Sequence, residues 1–74
     1  MEVKVGEVYQ GQVTYKNDHG VFVDIGEFNI CLALKDNLPD GYYDEAKGGD
    51  KVLAKVVRFD ERNRPIASII EKII

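Results

Sequence analysis

Apolar and polar residues alternate along most of the chain at the spacing typical of β-strands. From Glu7 to Asn17 the apolar positions recur every second residue, notably at Val13 and Tyr15, as a half-buried strand requires. Gly11 within this segment predicts a bend or a bulge. The NDHG sequence at residues 17–20 supplies side chains that favour a tight turn, so the pattern predicts a hairpin.

The second predicted strand is GVFVDIG at residues 20–26. Its period of two places Val21, Val23 and Ile25 on one face, so Phe22 is expected to point away from the core. A third strand is predicted near residues 28–34, where one side is apolar. Its larger residues, Ile30, Leu32 and Leu34, alternate with Cys31 and Ala33.

Residues 36–50 are rich in Pro, Gly and Asp and have little periodicity, so they predict a long loop with one helical turn at most. A fourth strand is expected from about Lys51 to Asp60, and a fifth in PIASII, residues 65–70, whose buried face the pattern does not identify. Five short strands without a long helix favour a small barrel, because closure removes exposed strand edges.

The size of the chain restricts the architecture further. Its 74 residues leave room for one domain, residues 1–74, and its single cysteine allows no internal disulfide. No apolar run is long enough to span a membrane, and the first residues do not resemble a signal peptide. We therefore expect a cytoplasmic protein that does not associate with membranes.

The charge distribution is polarised. The net charge is -3, which argues against strong binding to polyanions through charge alone. Residues 18–50 hold eight acidic residues against two lysines, a balance of -6, whereas residues 51–64 hold five basic residues against two acidic ones, a balance of +3. The basic segment indicates a surface that can attract an anionic ligand despite the acidic total, and the alternative is a solvated charge pattern without a function.

The side chains needed for catalysis are scarce. The chain has one histidine, one cysteine, one serine and one threonine, and nothing in the sequence places them together as nucleophile and base. A structural zinc site normally takes four ligands, and Cys31 and His19 supply only two. No phosphate-binding or calcium-binding motif is present. The sequence therefore predicts no enzyme, no metal site and no cofactor.

An outward Phe22 close to His19 suggests a different chemistry. Two exposed aromatic rings beside a basic strand can stack on nucleic-acid bases. The alternative is that Phe22 only covers the barrel surface or packs under the long loop.

Three segments of the chain, taken in order, resemble the S1 domain, the RNA-binding OB-fold module named after the ribosomal protein. They are VGEVYQGQV, HGVFVDIG and GDKVLAKVVRFDERNR, and the resemblance extends from about residue 5 to residue 70. It implies an all-β fold, a five-stranded Greek-key OB-fold barrel with a long loop or short helical turn between the third and fourth strands.

The resemblance also implies an RNA-facing surface. Its two aromatic positions fall on His19 and Phe22, and its acidic and arginine positions fall on Asp60 and Arg64. A histidine usual on the third strand is replaced by Ala33, and the Gly-Leu pair usual before it is replaced as well. Further candidates for phosphate contacts are the basic residues Lys16, Lys55, Arg58 and Arg62.

Two functions remain open at this point. The first is weak, salt-sensitive and sequence-tolerant binding of single-stranded RNA, or of single-stranded DNA, within a ribosomal, RNA-processing or RNA-degradation assembly. The second is a barrel that has lost RNA affinity and binds proteins through the acidic segment 36–50, with Tyr42 and Tyr43 as anchors. The alternative for both tyrosines is that they pack onto the barrel as part of a loop lid. The last two residues, Ile73 and Ile74, are apolar, as expected either where a longer chain has been divided or where a partner makes contact.

Overall fold

Five strands close into a barrel in the computed structural model, which describes residues 1–73. The strands are β1 (Val8–Asn17), β2 (Gly20–Asp24), β3 (Ile30–Leu34), β4 (Lys51–Phe59) and β5 (Pro65–Ile73). A 3-10 turn (Lys35–Asn37) and one short helix, α1 (Tyr42–Glu45), lie in the long segment between β3 and β4. The expected all-β barrel is confirmed; Ile74 lies outside the described residues.

The strand order around the barrel is β1-β2-β3-β5-β4, and β4 pairs with β1 to close the ring. β3 and β5 are parallel, and the other neighbours are antiparallel. Because the long segment between β3 and β4 carries the chain past β5, the topology is that of a five-stranded OB-fold barrel. Among residues 1–73 no helix is long and apolar enough to cross a membrane.

The barrel interior is built from small and β-branched side chains. The largest fully buried side chains belong to Val13, Val21, Val23, Cys31, Val52 and Val56. These residues fill a narrow interior in the rotamers that a pleated strand favours. On β3 the smaller residues, Cys31 and Ala33, form the core face. The larger Leu32 lies on the outer face, opposite Phe22.

A β-bulge in β1 changes which side chains face outward. Val13 pairs with Val23 and Tyr15 pairs with Phe22, so Thr14 is an extra residue in β1. Val13 therefore lies in the core while Tyr15 is 61% exposed. The prediction that Val13 and Tyr15 share the buried face is wrong, because the bulge shifts the alternation by one residue.

Gly11 serves a different purpose from the bend or bulge that the sequence suggested. A Cβ atom at this position would lie 2.5 Å from Val23 Cγ1 and 2.9 Å from the carbonyl oxygen of Asp24. Gly11 is paired regularly with Val52 on β4, and the register shift lies further along β1. Glycine is needed here because β1 and β2 approach each other closely.

The segment between β3 and β4 packs onto the core through α1. Tyr42 is only 4% exposed, and its hydroxyl donates a 2.8 Å hydrogen bond to Asp50 Oδ2. The Lys47 N–H donates to the same oxygen at 3.2 Å, and the Lys72 ammonium lies 3.8 Å from Asp50 Oδ1. Among these contacts, the hydrogen bond from Tyr42 does most to lower the pKa of Asp50. Burial of the Tyr42 side chain, followed by the nearby Asp50 carboxylate, raises the pKa of Tyr42.

Candidate nucleic-acid interface

Two aromatic rings lie side by side on the outer surface of β1 and β2. Tyr15 and Phe22 are direct cross-strand neighbours, with ring centroids 5.9 Å apart and ring planes inclined by 39°. Such pairs are favourable in themselves and hold each ring in place. The arrangement presents two adjacent aromatic surfaces, and such surfaces are what unpaired bases stack on.

The surface beside Phe22 continues across the barrel. Leu32 lies opposite Phe22 on β3, Ile66 lies opposite Leu32 on β5, and Arg58 lies opposite Ile66 on β4. Leu32 and Ile66 are buried although they are not members of the barrel's interior cluster. They therefore form an apolar floor between the aromatic pair and the first of three arginines.

The loop between β4 and β5 holds Arg64 over this floor. The Arg64 guanidinium carbon lies 6.0 Å from the centroid of the Phe22 ring, within the range of a cation-π contact. Arg64 Nε donates to Asp60 Oδ2 at 3.0 Å, and the backbone N–H groups of Arg62 and Arg64 donate to Asp60 Oδ1 at 2.9 and 2.8 Å. Asp60 thus shapes the loop and fixes the direction of the arginine side chain.

The ionisation of Asp60 follows from the same contacts. The Arg64 backbone N–H, the Arg62 N–H and the Arg64 guanidinium all favour the carboxylate, so the pKa of Asp60 lies below its ordinary value. Asp60 is therefore a positioning residue that remains charged at neutral pH. Asp60 lies beside Arg64 at the last hairpin, and a role of either residue in RNA binding stays a prediction.

A shallow depression of about 290 Å³ lies between the end of β4 and this loop. Its lining contains three arginines and two carboxylates: Arg58, Asp60, Glu61, Arg62 and Arg64. One carboxylate, Asp60, is already paired with Arg64. The remaining cationic groups can contact a phosphate that lies beside the stacked bases.

His19 lies at the turn between β1 and β2, and it is not the aromatic residue that packs beside Phe22. Its backbone N–H donates to Asn17 Oδ1 at 2.9 Å, and its carbonyl accepts from Lys35 N at 3.2 Å. The ring beside Phe22 belongs to Tyr15 instead. Contact between His19 and RNA stays a prediction, and it would occur at the end of the aromatic pair.

Two predicted lysines do not join this surface. Lys16 Nζ donates to the Tyr43 carbonyl at 2.9 Å and lies 5.1 Å from the centroid of its ring, so it holds α1 against the barrel. Lys55 lies opposite Val8 on β1 and Ser68 on β5, apart from the aromatic pair. Of the predicted phosphate contacts, only Arg58 and Arg62 are brought together with Arg64.

Ala33 and the two loop tyrosines also differ from their predicted settings. Ala33 is fully buried in the core, so the outer position of β3 beside Phe22 belongs to Leu32. Tyr42 is buried, and the Tyr43 hydroxyl donates to the Asn17 carbonyl at 2.9 Å while Lys35 Nζ lies 4.4 Å from its ring centroid. Both tyrosines fasten the long segment to the barrel instead of forming an exposed pair.

Comparison with known proteins decides the family. The sequence profile of the family described as "S1 RNA binding domain" matches residues 2–70. The chain belongs to the S1 RNA-binding domain family. The five-stranded barrel is the fold that the resemblance implied.

Two curated relatives are polyribonucleotide nucleotidyltransferases. The protein from Natranaerobius thermophilus is 38% identical over 68 residues, which cover 85% of this chain and 9% of that protein. The protein from Persephonella marina is 33% identical over 75 residues, which cover 96% of this chain and 11% of that protein. The chain spans about a tenth of the length of these relatives, so the similarity is confined to one segment of each.

Solved structures support the same fold. An uncharacterized protein, MJ1198 from Methanocaldococcus jannaschii, matches with a TM-score of 0.82 at 21% identity, covering 95% of this chain and 96% of the other. The solution structure of GSP13 from Bacillus subtilis matches with a TM-score of 0.71 at 29% identity, covering 92% of this chain and 55% of the other.

Tyr15 is the site residue that sequence reasoning missed, although the sequence holds a signal for it. The predicted turn leaves Asp18 and His19 as a two-residue loop, and a hairpin with that loop pairs Tyr15 with Phe22. Since Phe22 was expected to face outward, Tyr15 had to face outward too. Val13 can then be buried while Tyr15 faces outward only if the residue between them forms a bulge.

Proposed function

We propose that this S1 domain binds single-stranded RNA with Phe22 and Tyr15 as base-stacking surfaces and with Arg64, Arg58 and Arg62 along the backbone. The observation that carries the proposal is the contact of Arg64 with the Phe22 ring, beside the exposed Tyr15. A base stacked on either ring would place its phosphate within reach of the arginine-rich loop. The membership of the chain in an RNA-binding family supports this choice of ligand.

The expected affinity is weak. Stacking on one aromatic side chain contributes roughly 1–3 kcal/mol, so two rings supply about 2–6 kcal/mol, and a Kd of 1 mM corresponds to about 4 kcal/mol. The arginines add an electrostatic contribution, which the net charge of -3 opposes. Micromolar to millimolar binding that weakens as salt is added is the result.

Low sequence specificity at the aromatic pair follows from the chemistry of the same residues. Any base can stack on Tyr15 or Phe22, because every base has an aromatic face. Asp60 could accept a hydrogen bond from a base edge, but its carboxylate oxygens already accept from the Arg62 and Arg64 N–H groups and from the Arg64 side chain. The direction of Arg64 is therefore fixed without a base.

The domain is proposed to hold RNA without chemically altering it. Its nucleotidyltransferase relatives match this chain only over one segment, so their activity does not transfer to it. A module that grips single strands is useful within an assembly that processes or degrades RNA, and such an assembly is the partner we propose. The alternative of a protein-binding surface at Tyr42 and Tyr43 loses its support, because Tyr42 is buried and Tyr43 is bound to the barrel.

The test is a residue-resolved NMR titration with a short, mixed-sequence single-stranded RNA, repeated at higher salt. We expect saturable chemical-shift changes at Tyr15, Phe22, Arg62 and Arg64, and a Kd that increases with salt. A titration without shifts at these residues, at millimolar RNA and low salt, would reject the proposal. Shifts confined to the turn at His19 would relocate the site to the end of the barrel.

A further inference from the structure

A second concave surface lies on the barrel beyond the aromatic pair. It is a cleft of about 500 Å³ between β1, the start of β4 and the turn that joins β2 to β3. Polar residues and one aromatic residue line most of it: Gln10, Gln12, Thr14, Asp24, Glu27, Phe28 and Lys51. None of them belongs to the aromatic and arginine surface described above.

Phe28 is displayed at the rim of this cleft. Its side chain is 91% exposed, the highest exposure among the large apolar residues of the described chain. Phe28 has a φ of 62° and Glu27 a φ of 51°, backbone conformations that are uncommon for residues other than glycine. The backbone is therefore strained at Phe28, and because the side chain is exposed, no burial of apolar surface offsets the energetic cost of that strain.

The turn that carries Phe28 is well ordered by hydrogen bonds. Ile25 N donates to the Asn29 carbonyl, and both Asn29 N and Asn29 Nδ2 donate to the Gly26 carbonyl, all at 2.8 to 2.9 Å. Gly26 N donates to Asp24 Oδ1 at 2.8 Å. These bonds fix the backbone of the turn that carries Phe28 at the rim of the cleft.

The polar residues of the cleft have the hydrogen-bonding groups that recognise base edges. Glutamine amides at Gln10 and Gln12 both donate and accept. The Asp24 Oδ1 accepts from Gly26 N, and its Oδ2 can accept from the amino group of a base. Lys51 adds a cation that can contact a phosphate. An apolar protein segment would leave these groups without partners, whereas a nucleotide would satisfy them.

The cleft is continuous with the aromatic pair. Asp24 follows Phe22 by two residues on β2, which places both on the outer face, and Gln12 is the cross-strand partner of Asp24. The bulged Thr14 connects the two regions, because its hydroxyl donates to the Phe22 carbonyl at 3.4 Å and it also lines the cleft. A strand of RNA that stacks on Phe22 can therefore continue along β2 into the cleft.

We infer that this cleft is a second nucleotide subsite, in which the Phe28 ring stacks on a base and Gln10, Gln12 and Asp24 bind its edge. The inference rests on the proposed function, because it needs a single strand already bound at Phe22. It adds base preference to that function. The aromatic pair accepts any base, whereas hydrogen bonds from amides and a carboxylate distinguish one base edge from another.

The test compares the Kd of a labelled eight-nucleotide, mixed-sequence RNA, measured by fluorescence anisotropy at one low salt concentration, across matched variants. Phe28→Ala is expected to raise the Kd at least about fivefold, the lower end of what a stacking ring contributes, and Phe28→Tyr is expected to keep the Kd of the parent protein. Ile70→Ala removes an exposed apolar residue of β5 that does not line the cleft and should change nothing.

Phe22→Ala separates this inference from the proposed function. If Phe22→Ala raises the Kd and Phe28→Ala does not, the second subsite is rejected and the proposed function stands. If neither substitution changes the Kd, both are rejected. If Phe28→Ala alone raises it, the cleft binds RNA and the assignment to the aromatic pair is wrong.

A measurement on the unmodified protein removes any dependence on how the variants fold. The side-chain amide resonances of Gln10 and Gln12 should shift when the eight-nucleotide RNA is added, and the shifts should saturate with those of Phe22. Shifts at Phe22 with unchanged amide resonances at saturation would overturn the inference. Binding of a protein partner at Phe28 while RNA leaves the cleft unshifted would do the same.

Discussion

Tyr15 and Phe22 face each other across the β1–β2 hairpin, with ring centroids 5.9 Å apart, because Thr14 is an extra residue in β1. Without the bulge, the alternation that buries Val13 would also bury Tyr15. The bulge therefore converts a residue that the pattern assigns to the core into half of an aromatic surface. Re-aiming of a side chain at a binding surface is a common use of a β-bulge.

Tyr15→Ala should weaken RNA binding while the fold persists. The loss of one stacking surface is expected to raise the Kd by about 5-fold to 100-fold, which corresponds to roughly 1–3 kcal/mol. Because Tyr15 is 61% exposed, the free energy of unfolding should change little. Tyr15→Phe keeps the ring and serves as the matched control. An unchanged Kd in Tyr15→Ala, with a well-folded spectrum, would remove Tyr15 from the site.

Arg64 provides a test that separates charge from shape. Arg64→Ala should lower the slope of log K against log salt by about 0.7, the value for one phosphate contact on a single strand. Arg64→Lys should keep the slope but lose affinity, since lysine lacks the planar group that lies near Phe22 and bonds Asp60. Affinity in Arg64→Lys equal to that of the parent protein would show that charge alone matters at this position.

Gly11→Ala should destabilise the barrel. The new Cβ would meet Val23 Cγ1 at 2.5 Å and the Asp24 carbonyl oxygen at 2.9 Å, so β1 and β2 must separate. Overpacking of this kind costs about 1–3 kcal/mol of unfolding free energy, which urea denaturation would measure. Gly48→Ala is the control, because the nearest atom to its Cβ is 3.7 Å away, and its effect should stay within about 0.5 kcal/mol.

The contact between Tyr42 and Asp50 predicts a dependence of stability on pH. The pKa of Asp50 is lowered in the folded state, so its contribution to stability is present above the pKa of the unfolded chain, about 4. That contribution is lost as the pH falls through the lower pKa of the folded state. Tyr42→Phe removes the principal cause of the shift, and it should therefore lower stability at pH 7.

The same variant should differ less from the parent protein in strong acid, because the protonated Asp50 no longer benefits from the hydrogen bond as a carboxylate. Urea denaturation at pH 7, 5 and 3 would measure this difference. A difference in unfolding free energy that stays constant from pH 7 to pH 3 would contradict the assigned coupling.

Cys31 should be chemically inert in the folded protein. Burial, followed by the nearby Asp24 carboxylate, raises the pKa of its thiol to about 11, and the side chain is fully buried. At pH 8 a disulfide reagent should therefore react slowly with the native protein and quickly in denaturant, because only the thiolate is nucleophilic. Above the ordinary thiol pKa, the neutral thiol in the folded state makes stability decrease with increasing pH. Rapid labelling under native conditions would indicate that β3 opens readily.

The sequence by itself determined the strands and the loop that holds Asp60 and Arg64. Alternation at period two identified β2 and the outward direction of Phe22, and turn residues marked the β1–β2 hairpin. Asp60 and Arg64 could be placed together because a short loop between two strands keeps residues four apart close in space. These features depend on interactions within one strand or one turn, which local sequence specifies.

The tertiary structure decided which residues share the surface. The hairpin turn by itself pairs Tyr15 with Phe22, but the bulge at Thr14 is required only because β1 must also pair with β4 while Val13 is buried. Lys16 and Tyr42 do not lie on the surfaces predicted for them, because the long segment folds back onto the barrel. Lys16 there donates to the Tyr43 carbonyl, and Tyr42 donates to Asp50. Register around a closed barrel is fixed by all five strands together, so no single segment of the sequence could have specified it.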